Sequence, residues 1–110
     1  SRGLGDVYKR QVRTDVDISR GYPCVVNDAA LVKHAAALAA EAGLRVKMLP
    51  LRTTAEDFGF YCTKYPSLFY RLGVGAAAGQ PHTATFNPDE GAIDTGIDYM
   101  KRLALQILKK

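Results

Sequence analysis

Hydrophobic and polar positions change period several times along the chain. In "VRTDVDI", Val12, Thr14, Val16 and Ile18 fall on one side and Arg13, Asp15 and Asp17 on the other, the period of a half-buried strand. Gly21 and Pro23 in "SRGYP" end it. Asn27 then offers a cap to a helix whose apolar positions Leu31, Val32, Ala35, Leu38, Ala39 and Ala42 recur every three or four residues, with Gly43 as its stop. "LRVKM" alternates again, which predicts a short strand with Leu44, Val46 and Met48 inward and Pro50 at its end.

Thr54 is placed to cap a second, shorter helix beginning "AEDFGFYCTKY", with Glu56 and Asp57 in its first turn and Pro66 closing it. "SLFYRLGVG" reads as a third strand, richer in aromatic residues, that opens into a Gly/Ala loop carrying His82. Asn87 as cap, Pro88 at the first position and Asp89 and Glu90 at the positive end of the dipole predict a last helix. It runs through Ile93, Ile97, Met100, Leu103, Ala104, Ile107 and Leu108 to Lys109 and Lys110. Gly91 and Gly96 each cost about 1 kcal/mol in a helix interior, so each should mark a close approach of another group. The order strand, helix, strand, helix, strand, loop, helix predicts an α/β fold. Neighbouring second and third strands would be parallel with a right-handed crossover.

At 110 residues, 47% apolar and 24% charged, the chain has the size and make-up of one globular domain, able to bury roughly 65% of its unfolded surface if it folds alone. No apolar run approaches the ~20 residues of a membrane span, and no secretory leader is visible. The first residue is Ser rather than Met, and we expect a piece of something longer. "SRGLGDVYKRQ", residues 1–11, has no period of either kind and is set apart as a non-native leader. It supplies +2 of the net charge of +4. The remainder has no basic stripe with interleaved aromatics, which argues against a nucleic-acid partner. Lys101, Arg102, Lys109 and Lys110 do not form one face. Cys24 and Cys62 suit neither a disulfide framework nor a metal knuckle, and a reduced, cytoplasmic setting is the expectation.

Of the residues that could carry chemistry, His82 follows the third strand, where an α/β sheet gathers its functional groups. Neutral imidazole suits zinc or manganese, or a general base. One His needs partners, and a loop His that only hydrogen-bonds its neighbours is the commoner case. Glu56 and Asp57 could hold a metal or a cationic group, but adjacent helical residues diverge and dipole preference accounts for both. His34 lies between apolar helix positions as a partly exposed side chain, and the cysteines read as small packing groups.

Three stretches in order, "GYPCVVND" before a helix, "AEDFGFY" before "YPSLFYRLGVG", and "PHTATFNPDEGAIDTGI" with the last helix, resemble the C-terminal portion of the metal-dependent amidohydrolases and metallopeptidases. That family includes hippurate hydrolase, aminoacylase-like enzymes, N-acetyldiaminopimelate deacetylase and the auxin-conjugate hydrolases. The resemblance implies a dinuclear catalytic domain with a parallel or mixed sheet flanked by helices, interrupted by a smaller lid domain. Residues 12–26 would be the lid's last strand and the return hinge, and residues 27–110 the C-terminal part of the catalytic domain. It further implies that His82, in an HxxxF motif, is the distal ligand to one of two divalent metals, zinc or manganese. Glu56 and Asp57 would shape the pocket or stand behind the ligands. The reaction implied is hydrolysis of an N-acyl amino acid, in a homodimer or other homo-oligomer, with the remaining ligands and the Glu that moves the proton lying upstream. The piece alone should then be inactive, and its open apolar edges should make it express poorly or self-associate. The competing expectation is a complete, metal-free α/β binding module without catalytic activity.

Overall fold

A computed structural model describes residues 15–109. Three helices stand in it: α1, Ala29–Glu41; α2, Gly59–Cys62; and α3, Gly91–Leu108. Helix α1 starts at Asp28, whose carboxylate accepts the Leu31 N–H at 3.0 Å. Asn27, the cap expected from sequence, is used elsewhere. Its end is fixed by Gly43 at φ +77°. The Gly43 N–H donates to Ala40 O at 3.0 Å and the Leu44 N–H to Ala39 O at 3.0 Å, a Schellman closure that needs a left-handed residue.

The predicted α/β fold is corrected by the structure: among the described residues there are helices and no strand or sheet. Alternation makes a segment fit to be a strand, but a strand exists only through ladder hydrogen bonds to a neighbour. The parallel or mixed sheet, the crossover and the closing strand of a lid all fall with this finding. Val12 to Thr14 lie outside the described residues, as do residues 1–11. Val16 and Ile18 are 67% and 84% exposed, and Val46 and Met48, expected inward, are also exposed. Leu44 alone of its segment packs against the core.

In place of a sheet, Asn27 spans a gap of 42 residues to Phe69. Its amide Nδ2 donates to Phe69 O at 3.0 Å and its Oδ1 accepts the Phe69 N–H at 2.7 Å. The Asp28 N–H donates to Ser67 O at 2.9 Å. Residues 67–69 are thus held by a side chain and one backbone donor rather than by a ladder.

The core is small. Ala35, Leu38 and Ala39 of α1 meet Tyr99 and Leu103 of α3, with Leu44, Leu68 and Tyr70 packed at the margin. Small residues on α1 let α3 approach, and Tyr99 Oη crosses the interface to donate to Ala35 O at 2.7 Å. Tyr70 stacks edge-on against Tyr99, with ring centroids 5.3 Å apart. At Gly96 a Cβ would come within 2.8 Å of Leu72 Cδ2, so this glycine does mark a close approach, whereas Gly91 stands at the helix start with its nearest neighbour, Asp89 Oδ1, at ordinary distance.

The molecule extends 66 × 40 × 19 Å with a radius of gyration of 21.1 Å, against about 13 Å for a compact chain of this length. Its accessible surface is 10114 Å², whereas a folded protein of its mass exposes about 6,000 Å². Among the described residues, Ile93, Ile97, Met100 and Ile107 of α3 remain uncovered.

Candidate functional site

His82 sits at the tip of the loop between residues 74 and 91. The loop is closed at its base, where the Asp89 N–H donates to Val74 O at 2.7 Å and the Asn87 N–H to Ala78 O at 2.8 Å. Ala78 is buried between these contacts. Asn87 is not the cap: α3 begins at Gly91 rather than Pro88, with Glu90 at the N-cap position and no side-chain bond from it, while the Asp89 carboxylate accepts the Gly91 N–H at 2.9 Å. At the tip, Thr83 Oγ1 donates to Gln80 O at 2.7 Å and the Phe86 N–H to Thr83 O at 3.2 Å. The loop is thus pinned at its C-terminal side, at Asp89, two residues after the expected Asn87.

Within this frame His82 has φ +63°, the only non-glycine residue with positive φ among those described. A left-handed backbone costs a side-chain-bearing residue about 1–2 kcal/mol, and such strain persists where the surroundings impose it. The ring is exposed. An exposed imidazole on a strained, well-closed loop is free to donate a nitrogen to a ligand. Periodicity gives no signal for this conformation.

Glu56 and Asp57 lie in the turn leading into α2. Their backbone carbonyls accept the Gly59 and Phe60 N–H groups, each at 3.1 Å. The expected longer helix shrinks to one turn, with no side-chain cap from Thr54, so the two carboxylates precede the helix instead of occupying its first turn. Phe, Tyr, Cys, Thr and Gly are indifferent or poor helix formers, and aromatic packing takes over: Phe58 contacts Phe69 at 5.3 Å and Tyr61 at 5.5 Å between ring centroids. Glu56 is half-buried and Asp57 exposed. Among the described residues no three of His, Cys, Asp and Glu come together as a metal-binding group. The donor set therefore fits one ligand's share of a metal centre and not a whole one.

His34, on α1, is the residue the sequence reading undervalued. Its ring borders a groove of about 450 Å³ formed with Leu31, Tyr70, Met100, Leu103 and Ile107, and its Nε2 is buried without a hydrogen-bond partner among the described residues. Burial raises the phenol pKa values of Tyr70 and Tyr99, the latter also through the neighbouring Tyr70 charge. Neither His82 nor Glu56 and Asp57 border this groove.

The sequence model of peptidase family M20/M25/M40 matches residues 5–106. The chain belongs to this family. The match begins inside the stretch 1–11 that its lack of periodicity set apart. Relatives of this M20-family chain include the N-acetyldiaminopimelate deacetylase of Pediococcus pentosaceus, 38% identical over 97 residues, 87% of this chain and 25% of the relative. That of Enterococcus faecalis is 30% identical over 99 residues, 89% and 26% of the two chains. That of Lactobacillus acidophilus is 48% identical over 50 residues, 46% and 13%. The chain spans about a quarter of the length of the relatives it matches most fully. No solved structure matches it. No helix among the described residues is long and apolar enough to cross a membrane.

Proposed function

We propose that this chain is the C-terminal part of a metal-dependent amidohydrolase that removes the acyl group from an N-acyl amino acid, and that His82 is its one contribution to the metal centre. The observation that carries the reading is the backbone of His82: an imidazole kept in a left-handed conformation at the tip of a doubly closed loop, in a chain of the M20 family. The deacetylase names of the relatives support an acylated amino acid as substrate. Residues 12–26 are the end of a lid domain and its hinge, and residues 27–110 belong to the catalytic part.

In this reading His82 offers a neutral ring nitrogen to one of two divalent ions, zinc or manganese. When bound, the ions supply a Lewis acid for the amide carbonyl and an acidified water for the attack. Glu56 and Asp57 shape the pocket from the turn before α2, the half-buried Glu56 having less freedom than the exposed Asp57. The chain contributes no general base, and by itself it is inactive. The complete enzyme works in the cytoplasm as a homo-oligomer, with no nucleic-acid or membrane partner.

A chimera tests this directly. In the Pediococcus deacetylase, the stretch matched by this chain is replaced by residues 12–110. The chimera is expected to hydrolyse N-acetyl amino acids, to lose that activity with a chelator and to regain it with zinc or manganese. The isolated chain should show none. A folded chimera indifferent to chelator would refute the reading.

A further inference from the structure

The strap formed by residues 22–28 is bound along its length to the body of the molecule. The Tyr22 ring meets Phe60 edge-on, with centroids 5.7 Å apart and planes at 85°. The Pro23 carbonyl oxygen lies over Gly59 so closely that any Cβ there would overlap it, and the backbone carbon of Cys24 is 3.4 Å from the same point. Asn27 and Asp28 complete the attachment at Phe69 and Ser67. Gly59 is buried and has no positive φ, so a glycine is required there for approach and not for conformation.

Residues 15–21 differ throughout. All are exposed. Among the described residues none of the backbone hydrogen bonds involves them, and nothing lies within 4 Å of where a Gly21 Cβ would be.

We infer that Gly59 latches the strap onto the turn bearing Glu56 and Asp57, so that residues 22–28 move with that turn and not with the residues before them. A latch at Gly59 also ties any motion of the strap to the position of the two carboxylates.

The test uses nitroxide labels on this chain. One sample carries the label on Cys24, which is exposed, in a Cys62→Ser background. The other carries it at Ile18→Cys in a chain with both natural cysteines changed to Ser. The spectrum at Cys24 should report motion several-fold slower than at position 18. Gly59→Ala should speed the Cys24 label toward the position-18 value while far-ultraviolet helicity stays unchanged. If Gly59→Ala loses helicity, Phe60→Ala replaces it, removing the Tyr22 stacking without a clash, with the same expected loosening. Equal mobility at both positions, or a Cys24 label unmoved by the folded variant, overturns the latch. The readout is local and independent of metal, so it can fail while the chimera stays active, and the reverse.

Discussion

The carboxamide of Asn27 satisfies both backbone groups of Phe69, donating to its carbonyl and accepting from its N–H. One side chain thereby does for residue 69 what a neighbouring strand would do, and it joins the segment before α1 to the segment after α2. Each such hydrogen bond contributes about 0.5–1.5 kcal/mol net. Asn27→Ala should lower stability by about 1–2 kcal/mol, and Asn27→Asp, which keeps the acceptor but sets a carboxylate oxygen against the Phe69 carbonyl, by at least as much. Urea unfolding followed at 222 nm measures both; equal midpoints for Asn27→Ala and the natural chain would refute the bridge.

Tyr99 is held neutral in the folded protein, because burial raises its pKa above the ordinary value and its hydroxyl donates to Ala35 O at 2.7 Å. A raised folded pKa means that this contribution is fully present below the unfolded value near 10 and is lost as pH rises through the folded value. Helicity should therefore fall in alkali above about pH 10. Tyr99→Phe should cost about 1 kcal/mol at neutral pH and flatten the alkaline loss. Phenolate absorbance near 295 nm, read beside helicity, checks the order of events.

Gly96 faces the tip of Leu72 across a 2.8 Å approach. Gly96→Ala gains about 1 kcal/mol of helix propensity and spends it on moving a flexible side chain, so the melting temperature should change little. In a Leu72→Ala background the same substitution should stabilise by about 1 kcal/mol. Equal effects in both backgrounds would show that the two groups do not meet.

The left-handed backbone of His82 makes a prediction about stability apart from any metal. His82→Gly should raise stability by about 1 kcal/mol, while His82→Ala, with the same backbone demand, should not. Thermal unfolding of the two variants in metal-free buffer separates them. A gain with Ala equal to that with Gly would argue against the strain.

Helix positions were legible wherever an apolar period met a clear stop: α1 and α3 follow from three- and four-residue spacing, and Gly43 ends α1 as its left-handed role requires. Adjacent cap-forming residues were not distinguishable. Asn27 and Asp28 are both good caps by chemistry, and only the tertiary pull of Phe69 assigns one to the helix and the other to the bridge. At α3 the bond to the first turn comes from Asp89 and not from the expected Asn87, two residues earlier. Strand character failed for a different reason, since alternation in Leu44 to Met48 describes one segment and a ladder needs two. For the site, position was readable and conformation was not: His82 stands in the expected loop, but nothing local in "QPHTA" announces positive φ.

If His82 donates to a metal, the metal content of the protein must fall when its ring is removed. The chimera and its His82→Ala variant are purified, equilibrated with zinc and measured by elemental mass spectrometry, alongside a Glu56→Gln, Asp57→Asn double variant. His82→Ala should show a clear loss of bound metal with helicity retained, and the carboxylate pair undiminished metal with altered KM. Undiminished metal in a folded His82→Ala protein would contradict the ligand role.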